Sequence, residues 1–148
     1  MSLEKITSIS GFSGLFKVIT TRKDGIVAED LVTGKSTFAS SRKHQFTPLA
    51  SIGIYTDDGD SIALFQLYKN MLEHRAEMPA TEQSAQDNAA FFAKVLPTYD
   101  RDRVYPQDIK KAIKWFRFLA DRELINENNL NEFLKSIEEK EETEEKEA

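Results

Sequence analysis

Cysteine is absent from the 148 residues. Disulfides, thiolate nucleophiles and cysteine-held zinc or iron–sulfur centres are thereby excluded, and a reducing cytoplasm is the compartment this usage fits. Histidine is almost absent too. His44 and His74 are the only two, and neither stands in a zinc-ligand spacing. Long apolar runs are also missing: the longest, residues 62–65 and 89–93, are far too short to span a bilayer. The first ten residues, MSLEKITSIS, carry Glu4 and Lys5 where a secretory signal needs an apolar stretch. These absences predict a soluble intracellular protein with no membrane partner, no metal and no cofactor.

What is present is globular. Hydrophobic residues make up 40% and aromatics 10%, enough for a real core at this length. The net charge of −5 misleads, because residues 138–147, EEKEETEEKE, hold seven Glu and two Lys. Without them the chain has 18 basic and 18 acidic residues, and residues 1–50 are mildly basic, with seven Lys or Arg against four Asp or Glu. Basic at one end and acidic at the other is the first hint of an interaction surface.

Hydropathy divides the chain into strands first and helices second. LFKVITT at 15–21, IVAEDLV at 26–32, STFAS at 36–40 and SIGIY at 51–55 read as strands. Lys23-Asp24-Gly25 and Thr33-Gly34-Lys35 read as turns. Phe46 to Leu49 reads as a loop or 3-10 turn around Pro48. Strands this short, joined by tight turns, predict a small barrel over residues 3–56 that closes on itself and hides its edges. Asp60 is the expected N-cap of a following helix with Ile62, Phe65, Tyr68 and Leu72 on one face, which packs on the barrel or plugs its open end. Ser84 and Asp87 begin a second helix. Pro106 opens a third, striped with Ile109, Ala112, Ile113, Phe116, Leu119 and Ala120. Asn126 or Asn128 caps a last one. The expected organisation is a barrel with trailing helix at 1–76, a linker at 77–84, a helical unit at 85–137 and an acidic tail at 138–148 that is disordered, frayed or an extension of the last helix.

Three separated blocks, ISGFSGLFKVITTRKDGIVAEDL, TPLASIGIYTDD and VLPTYDRDRVYPQDIKKAIKWF, resemble a bacterial family of unknown function. The resemblance runs to about residue 135. It implies an N-terminal SH3-like small β-barrel, a C-terminal helical region and an acidic end, hence an α+β fold, and it supplies no site. Gln107 precedes Asp108-Ile109-Lys110-Lys111 where a Ser or Thr cap is expected.

Several motifs suggest chemistry and fail on context. Gly11-Phe12-Ser13-Gly14 has the GxxG spacing of a nucleotide-gripping loop, but strand-like sequence lies on both sides. It reads as a bend into the first barrel strand, with Phe12 turned inward. Asp57-Asp58-Gly59-Asp60 suggests calcium, but the twelfth position of the loop is Tyr68 where a bidentate Glu is required. No nucleophile elbow is present, so no enzymatic activity is expected.

The residues left as a candidate binding surface fall in three places. Arg22, Lys23, Lys35, Arg42 and Lys43 lie on barrel loops beside Phe12, Phe38 and Phe46. Arg101 and Arg103 lie in a charged loop, free to pair with Asp108, cap helix ends or hold an anion. Lys111, Lys114, Trp115 and Phe118 share the second face of the third helix, either packed on neighbours or presented to a partner. The function expected is a non-catalytic binding or adaptor module with a protein partner, and the alternative is an accessory protein for RNA or single-stranded DNA.

Overall fold

The computed structural model describes residues 3–78 and 84–147, with side chains through Glu139. It has an α+β architecture in two compact units, one ending at Ile52 and the other beginning at Gly53.

The first unit is a five-stranded antiparallel sheet. Its strands are β1 (Ile6–Ile9), β2 (Phe16–Arg22), β3 (Gly25–Asp30), β4 (Ser36–Ser40) and β5 (Phe46–Pro48), in the order β4-β3-β2-β1-β5. β2, β3 and β4 form a meander, as the turn residues predict. β2 pairs with β3 as Val18 to Ala28 and then Thr20 to Val27, so Ile19 is an extra, unpaired residue. Such a bulge sharpens local twist. Ile9 of β1, Phe16 of β2, Ile26 and Ala28 of β3 and Ala39 of β4 form one buried cluster, with Phe46 of β5 against it. Four adjacent strands of the sheet thus contribute to one core. The ladder stays open, because β4 pairs with β3 alone and β5 with β1 alone among the described residues. The expected closure of the barrel is therefore not seen as hydrogen bonding.

Three expectations about this region are corrected. Residues 46–48 form a strand, with Pro48 opposite Thr7. An edge strand tolerates a residue without an N–H, and the 3-10 turn follows it at Leu49–Ser51. The GxxG connects two strands, β1 and β2. Gly11 and Gly14 both have positive φ, +84° and +82°, so the bend is real. Phe12, however, is 39% exposed, its ring set against Phe16 and His44. The strand expected at 51–55 is not part of this sheet.

That strand belongs to the second unit. β6 (Gly53–Tyr55) pairs with β7 (Ser61–Ala63) as a hairpin. The aspartate cluster forms its turn instead of a helix cap. Asp58 Oδ1 accepts from the Thr56 hydroxyl at 2.6 Å and from the Asp60 N–H at 3.1 Å. Gly59 takes φ +85°, a conformation that costs a side chain energy. The helix begins later than expected: α1 (Leu64–Glu73) has Ala63 at its N-cap. Helices α2 (Ala85–Val95), α3 (Pro106–Asp121) and α4 (Glu127–Glu147) follow. α1 packs on α2, α4 and β7 within this unit, so it is no trailing helix of the sheet. The linker expected at 77–84 lies mostly outside the described residues. The backbone of α4 continues helically through Glu147, which makes the acidic end an extension of that helix.

Aromatic side chains join the helices. Phe65 of α1 meets Phe133 of α4 at a ring distance of 5.0 Å, and Tyr68 of α1 meets Phe116 of α3 at 5.5 Å. Tyr68 is wholly buried, and its hydroxyl donates to the Ala112 carbonyl at 3.0 Å. Burial pushes its pKa well above 10.0. Asn70 Nδ2 donates to the carbonyl of Val95 at the end of α2, one of the acceptors a helix C-terminus leaves free. Ser84 accepts from the Asp87 N–H, as its place before α2 predicts. Asn126 and Asn129 exchange side-chain to N–H bonds of 2.9 and 2.8 Å at the start of α4. At α3 the weak Gln107 start is supplemented by Asp108, whose carboxylate accepts from the Tyr105 N–H at 3.0 Å.

Candidate binding surfaces

Two basic dipeptides that are distant in sequence meet at one end of the sheet. Arg22 and Lys23 lead into the β2–β3 turn, and Arg42 and Lys43 follow β4. Gly25 stands opposite Ser40. Beyond that pair Ser41 donates twice to the Asp24 carbonyl, from its N–H at 2.9 Å and its hydroxyl at 3.1 Å. These bonds hold the turn and the segment after β4 together. The Lys43 and His44 N–H groups both donate back to the Ser40 carbonyl. The His44 ring fixes the far side of the loop: its Nδ1–H donates to the Ser10 carbonyl at 2.7 Å. All four cations are exposed, and none makes an ion pair among the described residues. Asp24 is the carboxylate that shares their turn.

An aromatic ring joins this end. Phe38 is 44% exposed, on the face of β4 away from Ala39 and the core, and the Arg22 guanidinium lies 6.0 Å from its centroid. Val27 stands opposite Phe38, and Thr20 opposite Val27, so the outer face carries a short row ending in an exposed ring. Lys35 does not belong to this group. It sits in the β3–β4 turn, at the other end of the hairpin, where its carbonyl accepts from the Asp30 N–H.

The loop arginines of the second unit are engaged structurally. Arg101 Nη1 donates to the carbonyls of Pro97 and Tyr99 at 2.9 and 2.7 Å, and its guanidinium covers the Tyr99 ring at 4.1 Å. It thus closes the chain that leaves α2. Arg103 lies 3.6 Å from Asp100 and 5.3 Å from the centroid of Tyr55. Neither arginine uses Asp108, which is occupied by the Tyr105 N–H. Tyr55 is 49% exposed, so Arg103 over Tyr55 is a surface pair that the sequence did not single out. Period-two alternation marks Tyr55 as facing away from Ile54 but does not say what covers it.

The second face of α3 is half-covered by its own cations. The Lys111 ammonium lies 5.1 Å from the Trp115 ring, and the Arg122 guanidinium 4.0 Å from the Phe118 ring. Trp115 and Phe118 are half-buried, while Lys111 and Lys114 are exposed. Arg117 Nε lies 3.2 Å from the Met78 sulfur. Long cationic side chains shield apolar rings in this way and weaken any bare apolar patch. Among the described residues, no three His, Asp or Glu side chains gather as a metal site, and no helix is long and apolar enough to cross a membrane.

Comparison with known proteins gives the class to which this two-unit α+β arrangement belongs. A domain of unknown function, DUF5606, matches residues 3–49, and a second, DUF6852, matches residues 52–119. The two matches meet where the structure divides into its units. A solution NMR structure of a structural-genomics target from Bacteroides vulgatus is 32% identical, covers 84% of this chain and 89% of that one, and superposes with a TM-score of 0.66. No curated protein matches the chain. The chain belongs to a family of unknown function, and in it the DUF5606 match covers the sheet unit and the DUF6852 match the start of the helical unit.

Proposed function

We propose that this protein is a non-catalytic binding module of the cytoplasm. Its first unit is read as an SH3-like small barrel, a reading supported by the strand order β4-β3-β2-β1-β5, the bulge at Ile19 and a core shared by β1 and β4. The observation that carries the binding reading is the end of that sheet. Arg22, Lys23, Arg42 and Lys43 stand there without ion-pair partners among the described residues, and Arg22 lies over the exposed Phe38 ring. Unpaired cations around an aromatic are what an anionic partner surface meets: the ring contributes buried area and the charges set approach and orientation. The α3 face with Lys111, Lys114, Trp115 and Phe118 is a second, weaker contact surface.

The partner favoured is an acidic protein segment. The second reading is single-stranded nucleic acid, favoured by Arg22 over Phe38, because a ring and a guanidinium form a platform on which a base can stack. One experiment separates the two. A labelled decaglutamate peptide and a labelled ten-nucleotide RNA are titrated with the whole protein at about 50 and about 200 mM salt, a range over which phosphate contacts weaken steeply. Saturable peptide binding that is lost in the Arg42→Glu/Lys43→Glu variant is the expected result. RNA binding lost in the same variant establishes the second reading. Binding of neither probe overturns both.

A further inference from the structure

The same end of the sheet carries an unpaired edge. β4 bonds to β3 on one side and, among the described residues, to no strand on the other. The Asp30 N–H donates to the Lys35 carbonyl and the Ser41 N–H to the Asp24 carbonyl, which sets the phase of the ladder. In an antiparallel pair, bonded and non-bonded positions alternate. Thr37 and Ala39 therefore point their N–H and C=O groups at β3, and Ser36 and Phe38 point theirs away. The Ser40 carbonyl is already taken by the loop that follows. Ser36, Thr37 and Phe38 are all exposed.

Edges of this kind are ordinarily blunted by charge, proline or a bulge. The other edge of this sheet is: β5 contains Pro48. β4, STFAS, has no charged residue and no proline. Its free N–H and C=O groups run toward the end where Arg42 and Lys43 follow and Arg22 lies over Phe38.

We infer that β4 takes up an extended peptide as a sixth strand, and that the peptide is acidic where it passes Arg22, Lys23, Arg42 and Lys43. Backbone bonds at Ser36 and Phe38 hold the strand, alternate side chains lie beside the Phe38 ring, and flanking carboxylates meet the four cations. This is the strand-addition mode of peptide recognition, in which the main chain gives affinity and side chains give selectivity. The inference rests on the binding-module reading and adds to it how the partner docks.

The probe is a capped peptide of alternating valine and threonine, flanked by two glutamates at each end so that either strand direction places acid beside the cations. It is titrated into the whole protein by NMR, with amide hydrogen exchange measured at Ser36 and Phe38. A second peptide of the same sequence carries N-methyl groups on alternate residues, made in both phases, which remove the donors strand pairing needs. The expected result is slowed exchange at Ser36 and Phe38 with the first peptide, and binding weakened about tenfold or more with the one phase of the methylated peptide that removes the donors facing Ser36 and Phe38. If both peptides bind alike and exchange at Ser36 and Phe38 is unchanged, the strand-addition inference falls while the acidic-partner reading stands. If decaglutamate also fails to bind, both fall. Protection of Ser36 and Phe38 that grows with protein concentration before any peptide is added assigns the edge to a second copy and overturns the inference.

Discussion

Replacing Gly25 by alanine tests the geometry that assembles the basic end. Gly25 opens β3 opposite Ser40. A Cβ there would stand 2.1 Å from the Ala39 carbonyl oxygen, 3.0 Å from its carbon and 2.9 Å from the end of the Phe38 ring. Non-bonded carbon contacts are comfortable near about 3.5–4.0 Å, so the overlap with the oxygen exceeds about 1 Å. That oxygen is main chain and cannot swing aside. β3 and β4 must part by a similar amount, which stretches the 2.9 Å bond from Ser41 to Asp24 and the neighbouring ladder bonds past hydrogen-bonding range. Two or three such bonds are worth about 1 kcal/mol each. Alanine returns roughly 0.4–1 kcal/mol by stiffening the unfolded chain. The expected net loss is about 2 kcal/mol.

Gly34→Ala is the control. Gly34 has φ +75°, but nothing lies within 4 Å of where a Cβ would stand, so it carries only the left-handed penalty of about 1–2 kcal/mol, reduced by the same unfolded-state gain. Its expected loss is about 1 kcal/mol or less. Urea unfolding should be followed through the Ala28 and Ala39 amide signals, because Trp115, the single tryptophan, reports on the other unit. If Gly25→Ala is no more damaging than Gly34→Ala, the close approach of the two strands is wrong, and with it the junction that brings Arg22 and Lys23 to Arg42 and Lys43.

Tyr68→Phe removes the bond to the Ala112 carbonyl and should cost about 1 kcal/mol at neutral pH, measured by urea unfolding read through Trp115 fluorescence. Because the folded phenol keeps its proton well above 10.0, the unfolded chain loses that proton first; the stability from Tyr68 is intact below pH 10.0 and lost as pH rises beyond it, and the phenylalanine variant should show a shallower alkaline decline. The Thr56 hydroxyl and the Asp60 N–H hold the Asp58 carboxyl below 3.8. Its contribution is present above pH 3.8 and lost as pH falls through the lower folded value, so Asp58→Asn should flatten the acid side of a melting-temperature profile. Asn126→Ala removes one half of the reciprocal cap on α4 and should cost about 1 kcal/mol, with loss of helical circular dichroism at raised temperature.

The elements that were legible in the sequence are those whose local signal and tertiary role agree. β2, β3 and β4 were read from alternation and turn glycines, α2 from Ser84, and α3 from a stripe whose six named residues are all buried. The misreadings share a cause. Asp60 has the chemistry of a helix cap, but β6 offered residues 61–63 a strand partner, and pairing outweighed the cap. Pro48 looked like a break, yet an edge position needs no donor on its outer side. Phe12 is expected to turn inward at the bend, but the bend set by Gly11 and Gly14, both at positive φ, leaves it 39% exposed. Each outcome depends on a neighbour remote in sequence or on a backbone turn, which periodicity does not record.

The same limit applies to the surface. Residue type alone singled out Arg22, Lys23, Arg42 and Lys43, and it singled out Lys35 with equal force. What separates them is the return of β4 along β3, which carries Ser41 back to Asp24 across 17 positions and leaves Lys35 at the opposite turn. Phe38 was visible as an aromatic near cations, but whether it filled the core or faced out depended on the register that puts Ala39 inside. The cations of the second unit looked similar in sequence and are spent differently. Arg101 closes the exit from α2, and Lys111 and Arg122 cover their own rings, so their donors and faces already have partners. At the end of the first sheet, positive charge, an exposed ring and main-chain groups unbonded among the described residues coincide. It is there that an acidic strand would find all three.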